Sequence, residues 1–144
     1  MYIINSDALR DENFLKQMDT YPQRETVAKI ITLDWNENPI REISGKISNG
    51  TLNVDGSSSC RRTCSLTLIT TDKNVNEVDW QIKTKYYLTI GMRNFVNDKY
   101  PKWIWFPLGM FIVTSCSLSS NLQGYTLSLQ GRDKMCMLDG SIGG

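Results

Sequence analysis

The residue types that most often perform catalysis are scarce in this sequence of 144 residues. It contains no histidine, which removes the commonest general base and every pairing of histidine with a serine or cysteine nucleophile. A cysteine nucleophile would need a lysine, an arginine or a helix N-terminus to lower its pKa. Cys60 precedes Arg61 and Arg62, but adjacent residues of a strand point to opposite faces, so at most one arginine could approach the thiol. A buried thiol flanked by solvated arginines is the interpretation that we favour.

Most carboxylates lie where paired acid–base chemistry is not expected. Two catalytic carboxylates can come from distant strands, but the acids here cluster in a predicted helix and in predicted turns, as Asp11, Glu12, Asp34, Glu37, Asp72, Glu77 and Asp79. Asp133 is the one acid that could end a strand in an apolar context. No loop has the glycine and lysine spacing of a phosphate-binding loop. We therefore predict that the protein is not an enzyme and has no cofactor and no small-molecule substrate.

The four cysteines admit three interpretations. Their even number permits two disulfides. A zinc site would need the thiols gathered in one place, and only Cys60 and Cys64 form a close pair. Free thiols that act as small core residues are the interpretation that we favour, with a disulfide or a metal site as the alternatives.

The aromatic segment Tyr100-Pro-Lys-Trp-Ile-Trp-Phe-Pro107 is the most distinctive part of the chain. It could be a core strand, an exposed platform for sugar rings or nucleotide bases, or the anchor of a protein interface. Strand alternation places Trp103 and Trp105 on one face and Ile104 and Phe106 on the other, so both faces need to be buried. Because a small domain rarely buries both faces of a peripheral strand, this pattern favours a partner subunit. The predicted interface residues are Tyr100, Trp103, Trp105, Phe106, Arg61 and Arg62.

The composition is that of one ordinary globular domain. The chain is 40% hydrophobic and 22% charged, with a net charge of +1, which provides no electrostatic reason to expect specific nucleic acid or an anionic membrane as a partner. No run approaches the roughly 18 apolar residues of a membrane span. The N-terminus lacks the basic and then apolar layout of a signal peptide, so we expect the protein in the cytoplasm of the cell that makes it.

The elements that must position these residues are mostly strands. The pattern predicts a short helix over residues 7–18, a polar loop or helical turn over 71–80, and about six or seven strands. The predicted strands are residues 27–33, 40–54, 62–68, 86–90, 110–118 and 125–130, with the last two forming a hairpin. The predicted fold class is mainly β, a β-sandwich or split β-barrel with a short N-terminal helix. We expect a helical arm over residues 1–24, a β domain over 25–140 and a glycine-rich end over 141–144.

One strand face carries mainly hydroxyl groups. Cys64, Leu66 and Leu68 alternate with Thr63, Ser65 and Thr67, which predicts a core face and a hydroxyl face. Together with Ser128 and Gln130, the hydroxyl face could line a channel or meet bulk water. No internal repeat is visible in the sequence.

Three phrases of the sequence carry a family resemblance. The first runs from Arg41-Glu-Ile-Ser-Gly45 to Ser58-Ser-Cys-Arg-Arg-Thr-Cys-Ser-Leu-Thr-Leu68. The second is Trp105-Phe-Pro-Leu-Gly-Met-Phe-Ile-Val-Thr114, and the third is Gly124-Tyr-Thr-Leu-Ser-Leu-Gln-Gly-Arg-Asp-Lys-Met135. In this order they resemble the first domain of phage tail and baseplate hub proteins, over residues 25–140. The likeness is one of strand order and short phrases, without a catalytic signature.

The resemblance implies a fold related to tail-tube proteins, in which copies join their sheets around a central channel. The expected function is that of a structural component of a phage virion tail, as a baseplate hub or tube-to-baseplate adaptor. The implied partners are other tail or baseplate proteins and copies of the chain itself, and the implied location is the virion after assembly in the host cytoplasm. Hub proteins are typically longer, so the chain is either a shorter relative or part of a larger product. A carbohydrate-binding β-sandwich with Tyr100, Trp103 and Trp105 as its platform is the alternative.

Overall fold

The computed structural model describes residues 25–94, 102–138 and 140. In chain order the elements are β1 (Thr26–Leu33), β2 (Pro39–Val54), β3 (Arg62–Thr70), the 3-10 helix η1 (Lys73–Glu77), β4 (Lys85–Asn94), β5 (Lys102–Asn121), β6 (Gly124–Arg132) and α1 (Met135–Leu138). The mainly β fold class is thereby confirmed. The helix expected over residues 7–18, the arm over 1–24 and the end over 141–144 lie outside the described residues. No helix within the described ranges is long and apolar enough to span a membrane.

The six strands form a closed antiparallel barrel in the order β1-β2-β3-β6-β5-β4. Two long strands build its corners, because each pairs with one neighbour along its first half and with another along its second half. β2 pairs with β1 up to Lys46 and with β3 from Lys46 onward. β5 pairs with β4 up to Ile112 and with β6 from Ile112 onward. The barrel is thus made of two sheets that share β2 and β5.

We name these two halves of the barrel sheet I and sheet II. Sheet I contains residues 39–46 of β2, then β1, β4 and residues 102–112 of β5. Sheet II contains residues 46–54 of β2, then β3, β6 and residues 112–121 of β5. A register shift follows each corner, between Ile47 and Asn49 in β2 and between Val113 and Ser115 in β5. Such bulges bend a strand, which lets it pass from one sheet to the other.

The described elements fall into two structurally corresponding halves, β1-β2-β3-η1 and β4-β5-β6-α1. In each half the middle strand is the longest, changes partners at a corner and has a bulge just after it. The first strands pair with each other, as do the third strands, and both pairs are antiparallel. This correspondence is not visible in the sequence because it requires only similar strand lengths and alternation.

The barrel interior is filled by the alternating apolar positions of all six strands. Cys64, Leu66 and Leu68 are buried on β3, as the alternation predicts, and they pack with Leu127 and Leu129 of β6. Burying such side chains contributes about 25 cal/mol per Å² of apolar area removed from water. η1 adds the fully buried Val75, whose carbonyl accepts a 2.9 Å hydrogen bond from the Trp80 indole. The polar segment expected over 71–80 therefore closes one opening of the barrel.

β5 begins earlier in the chain than the sequence pattern predicts. Its expected start was residue 110, and in the structure it starts at Lys102. The first half of β5 was ambiguous because both of its faces carry large apolar groups, which hides the alternation on which strand prediction depends. β5 is therefore a single long strand that contains most of the aromatic segment.

Cys64 makes the stability of the barrel sensitive to alkali. Burial raises the pKa of the Cys64 thiol from 9.0 to about 11, so the unfolded chain loses this proton before the folded chain does. The stabilisation is complete below about pH 9 and is lost as the pH rises towards about 11, by roughly 2–3 kcal/mol in total. We expect urea unfolding under reducing conditions to show this decline.

A matched pair of variants separates the thiol from other alkaline effects. Cys64→Ala should flatten the decline in unfolding free energy between about pH 9 and 10, although its stability at neutral pH is lower. Cys116→Ala, which removes a half-buried thiol, should leave most of the decline in place. An unchanged pH profile for Cys64→Ala would contradict the assignment.

Candidate assembly surfaces

The structure separates the predicted interface residues into several environments. Trp103 and Trp105 lie on the outer face of sheet I and are half-buried. Phe106 faces the other way and packs with the buried Ile104. Tyr100 lies outside the described residues. The six residues therefore do not form one continuous patch, and their role at an interface stays a prediction.

Trp105 is packed within its own chain. Its six-membered ring lies against Gly91 so closely that a Cβ atom at this glycine would be 2.8 Å from the ring. The ammonium group of Lys29 lies 4.5 Å from the ring centroid, and the Trp103 ring lies 6.3 Å away. A sugar-binding platform needs an open aromatic face, so this packing favours a structural role for Trp105.

Ion pairs surround this aromatic group. Glu25 pairs with Lys46 at 3.2 Å and with Arg93 at 3.1 Å. Hydrogen bonds from these two cations hold the pKa of Glu25 below its ordinary value. Since the groups are partly exposed, each pair contributes little to stability, and the cluster mainly orients the start of β1.

Arg62 lies at the point where three distant parts of the chain meet. Its guanidinium donates a 3.0 Å hydrogen bond to the Leu108 carbonyl and lies 5.6 Å from the Phe111 ring. Its backbone N–H donates a 3.0 Å hydrogen bond to the Asp133 carboxylate, and the Asp133 N–H donates one of 3.0 Å to the Arg62 carbonyl. Gly109 adopts a φ of +108°, and a Cβ atom there would be 2.5 Å from the guanidinium. Only glycine fits this position without strain.

Asp133 completes this contact, which we call the Arg62 node: Arg62, Leu108, Gly109 and Asp133. The carboxylate is buried, with 4% of the residue exposed. It also accepts a 3.1 Å hydrogen bond from the Met135 N–H, at the start of α1. The Arg62 Nε atom lies 3.8 Å from the carboxylate. The carboxylate thus accepts hydrogen bonds from backbone N–H groups at the start of β3 and at the start of α1.

The Arg62 node joins the three phrases that carry the family resemblance. Arg62 belongs to the first phrase, Leu108 and Gly109 to the second, and Asp133 to the third. In this chain the three phrases therefore meet at one packed contact of the barrel. Arg62, which the sequence predicted at an interface, has an internal role here.

Arg61 has a different environment from Arg62. It is exposed and lines a groove with a volume of about 530 Å³ beside the node. Val54, Pro107, Leu108 and Met135 supply apolar walls. Arg61 therefore shares this groove with Pro107, at the end of the aromatic segment, but not with Trp103 or Trp105.

The open edges of sheet II were not predicted from the sequence. Within the described ranges, residues 49–54 of β2 pair only with β3, and residues 115–121 of β5 pair only with β6. Neither stretch contains a charged residue or a proline, although natural proteins commonly use both to protect strand edges. The sequence shows that both stretches lack charged residues and proline. Only the structure shows that these stretches are strand edges, and therefore that the edges are unprotected.

A second surface that the sequence did not identify surrounds Trp35. This residue is 74% exposed in the β1–β2 turn, beside a cleft with a volume of about 390 Å³. Lys85 holds it in place, because its ammonium donates a 3.0 Å hydrogen bond to the Trp35 carbonyl and lies 4.8 Å from the ring centroid. Glu37 pairs with both Lys85 and Lys134. The turn-forming residues around Trp35 predicted the turn itself, but not that its tryptophan would be exposed.

The structure pairs none of the four cysteines in a disulfide. Cys64 and Cys136 are buried, whereas Cys60 and Cys116 are half-buried. In the part of the chain that the structure covers, no group of three or more potential metal ligands is present. Cys60 precedes β3 instead of sharing its inner face with Cys64, because the strand begins at Arg62.

Comparison with known proteins gives a distant structural likeness. No family model matches the chain, and no curated protein matches it. A chain in the structure of the lidded Francisella PdpA-VgrG complex is 15% identical, with 94% of this chain and 20% of that chain aligned and a TM-score of 0.49. A chain in the half-lidded form is 14% identical, with 92% and 22% aligned and a TM-score of 0.46. The protein spans about a fifth of the length of these chains.

Proposed function

We propose that this chain is a structural subunit of a phage tail, acting as a baseplate hub or tube-to-baseplate adaptor, and that its copies assemble around a central channel. The observation that carries the proposal is the pair of open edges on sheet II. A strand edge presents unpaired N–H and C=O groups, which pair readily with another strand. The two edges belong to one sheet, so each copy can offer one edge to each of two neighbours.

The strand directions of sheet II favour a contact between the β5 edge of one copy and the β2 edge of the next. Neighbouring strands in the order β2, β3, β6 and β5 are antiparallel. Since the order contains four strands, β2 and β5 run in opposite directions. A neighbour related by rotation about an axis along the strands would therefore add its β2 antiparallel to β5. Contacts of this head-to-tail kind produce a ring when the rotation closes.

The outer face of sheet II supports the same proposal. Strand alternation places mainly hydroxyl and amide side chains on this face, namely Thr51, Asn53, Thr63, Ser65, Thr67, Ser115, Ser117, Ser119, Thr126, Ser128 and Gln130. Thr67 and Ser128 contact each other across the face at 3.3 Å. Alternation places the charged residues Lys46 and Arg132 at opposite ends of this face, so its middle is uncharged and adds little like-charge repulsion between copies. It supplies a suitable lining for a channel within a ring.

A blocked edge tests the assembly. We expect Thr51→Lys together with Ser117→Lys to raise the dissociation constant between copies by at least about tenfold, which corresponds to ~1.4 kcal/mol. Both residues are exposed on edge segments, so the barrel should remain folded. Sedimentation velocity and native mass spectrometry over a range of concentrations would measure the oligomeric state.

The control is Ser65→Lys, which places one such charge on the same outer face but on the interior strand β3, and it is compared with Thr51→Lys and Ser117→Lys made singly. It should retain most of the self-association of the original chain. A chain that remains monomeric at every concentration, or one that assembles equally well with both edges blocked, would contradict the proposal.

A further inference from the structure

The groove beside Arg61 has the shape and chemistry of a peptide-binding site. Its volume of about 530 Å³ falls within the range typical of ligand sites, and it meets the open edges of sheet II only at Val54, the last residue of β2. Val54, Leu108 and Met135 supply apolar contacts, while Arg61 and Arg62 supply two guanidinium groups. This combination suits a ligand that alternates apolar side chains with a negative charge.

The charges of the groove are unbalanced. Asp133 is the one acidic residue among those that line it, and its carboxylate already accepts hydrogen bonds from the backbone N–H groups of Arg62 and Met135. Arg61 is exposed and forms no ion pair with any described residue. The groove therefore presents positive charge that nothing in this part of the chain neutralises, and an arginine can pair with a carboxylate through two parallel hydrogen bonds.

The apolar surface is larger than a small molecule would cover. Among the residues that line the groove, Val54 is 49% exposed and Met135 is 42% exposed. Beyond Met135, the exposed apolar surface continues along α1 to Leu138, which is 80% exposed. Contiguous exposed apolar surface of this kind marks protein interaction sites. Continuity with α1 thus favours a protein segment over a small ligand.

We propose that this groove binds an extended acidic segment of a partner protein, with its apolar side chains against Leu108 and Met135 and a carboxylate on Arg61. This site goes beyond the proposed assembly, because it shares only Val54, the last residue of β2, with the open edges of sheet II. A chain in which the edges are blocked should still bind the segment.

Fluorescence anisotropy with short labelled peptides tests the proposal on the full chain. The probe is a fluorescein-labelled peptide built from the repeat Ser-Leu-Glu, compared with peptides in which lysine or glutamine replaces glutamate. We expect the glutamate peptide to bind at least about tenfold more tightly than the lysine peptide. Its affinity should fall as the salt concentration rises.

Two variants and a control assign the binding to the groove. Arg61→Glu should abolish the preference for the glutamate peptide, and Met135→Glu should weaken the binding of that peptide at least about tenfold. Lys73→Glu makes the same change of charge at η1, away from the groove, and should have little effect. Thermal unfolding of each variant would show that the barrel remains intact.

Three results would overturn the proposal. These are equal affinity for all the peptides, an effect of Lys73→Glu as large as that of Arg61→Glu, and stronger binding of a single-stranded oligonucleotide than of the glutamate peptide at the same site. Repeating the titration with Thr51→Lys and Ser117→Lys separates this site from the assembly. Binding without assembly would contradict the assembly alone, whereas assembly without binding would contradict the peptide site alone.

Discussion

Gly131→Ala should destabilise the barrel by about 3 kcal/mol, at the upper end of the usual cost of overpacking a core. Gly131 lies in β6 opposite Cys64, and the Tyr86 ring crosses the interior to reach it. A Cβ atom at Gly131 would be 2.3 Å from the Tyr86 hydroxyl oxygen and 3.0 Å from the adjacent ring carbon. Because Tyr86 is fully buried and stacks on Phe111 at 5.8 Å, it has little room to move. Urea unfolding at neutral pH would measure the loss.

The Tyr86 hydroxyl provides the matched control. Among the described residues it forms no hydrogen bond of normal geometry. Burial, reinforced by the neighbouring Cys64 thiol, raises the pKa of Tyr86 far above its ordinary value. Tyr86→Phe should therefore be neutral or stabilising by about 1 kcal/mol, since it removes a buried polar group with little compensation.

The double variant Gly131→Ala with Tyr86→Phe tests whether contact with the Tyr86 hydroxyl causes the loss of stability. In the Tyr86→Phe background, the cost of Gly131→Ala should fall to about 1 kcal/mol, because the shortest contact is gone and only the ring carbons remain near. An equal cost of Gly131→Ala in both backgrounds would show that the hydroxyl is not what excludes a side chain here.

Asp133→Asn should destabilise the protein by about 2–3 kcal/mol. The substitution preserves the shape of the side chain, but it directs an amide donor at one of the two backbone N–H groups that the carboxylate now accepts from Arg62 and Met135. The buried position prevents water from replacing the lost hydrogen bond. Unfolding in urea would give the total change, and hydrogen exchange of the amides of β3 and α1 would locate it.

Arg62→Met distinguishes the two ways in which Asp133 could stabilise the Arg62 node. It removes the guanidinium but keeps the backbone N–H and much of the apolar stem. The ion pair is long, at 3.8 Å, and the arginine side chain is about a third exposed, so we expect a coupling with Asp133→Asn below about 1 kcal/mol. A larger coupling would show that the charge pair, and not the backbone hydrogen bonds, holds the node together.

The Arg62 node brings together residues from the three phrases of the sequence. The arginine of the first phrase, the glycine of the second and the aspartate of the third are needed where the end of β6 meets β3 and β5. The sequence alone could not predict that these residues meet, because the contacts join residues that lie 46 and 71 positions apart.

The strands were the part of the fold that local sequence predicted best. Alternation in β3 and β6 identified their inner and outer faces, because side chains of a strand point alternately to its two sides. The turn-forming residues at 34–39 and 119–124 marked the ends of strands. Where alternation fails, as in the first half of β5, the start of the strand was placed eight residues too late.

The candidate surfaces were predicted much less well. Trp103 and Trp105 were singled out for their size, but the structure shows Trp105 packed between Gly91 and Lys29. The sequence pattern places Trp35 only in a turn, whereas in the structure this residue is 74% exposed and Lys85 holds it through a hydrogen bond and a cation–π contact. Exposure depends on residues that are distant along the chain, so the residue type alone could not establish it.

By itself, the sequence determined most of the strand residues, which faces of β3 and β6 are apolar, and that the chain contains no histidine. These properties depend on neighbours within a few positions, which the linear order contains. Only the tertiary structure decided that β2 and β5 pass from one sheet of the barrel to the other and that sheet II has two unprotected edges. It also decided that Arg61 lies beside a positively charged groove. Those properties depend on which strands become neighbours across the barrel, and that choice is made by the packing of the whole core, not by any one segment.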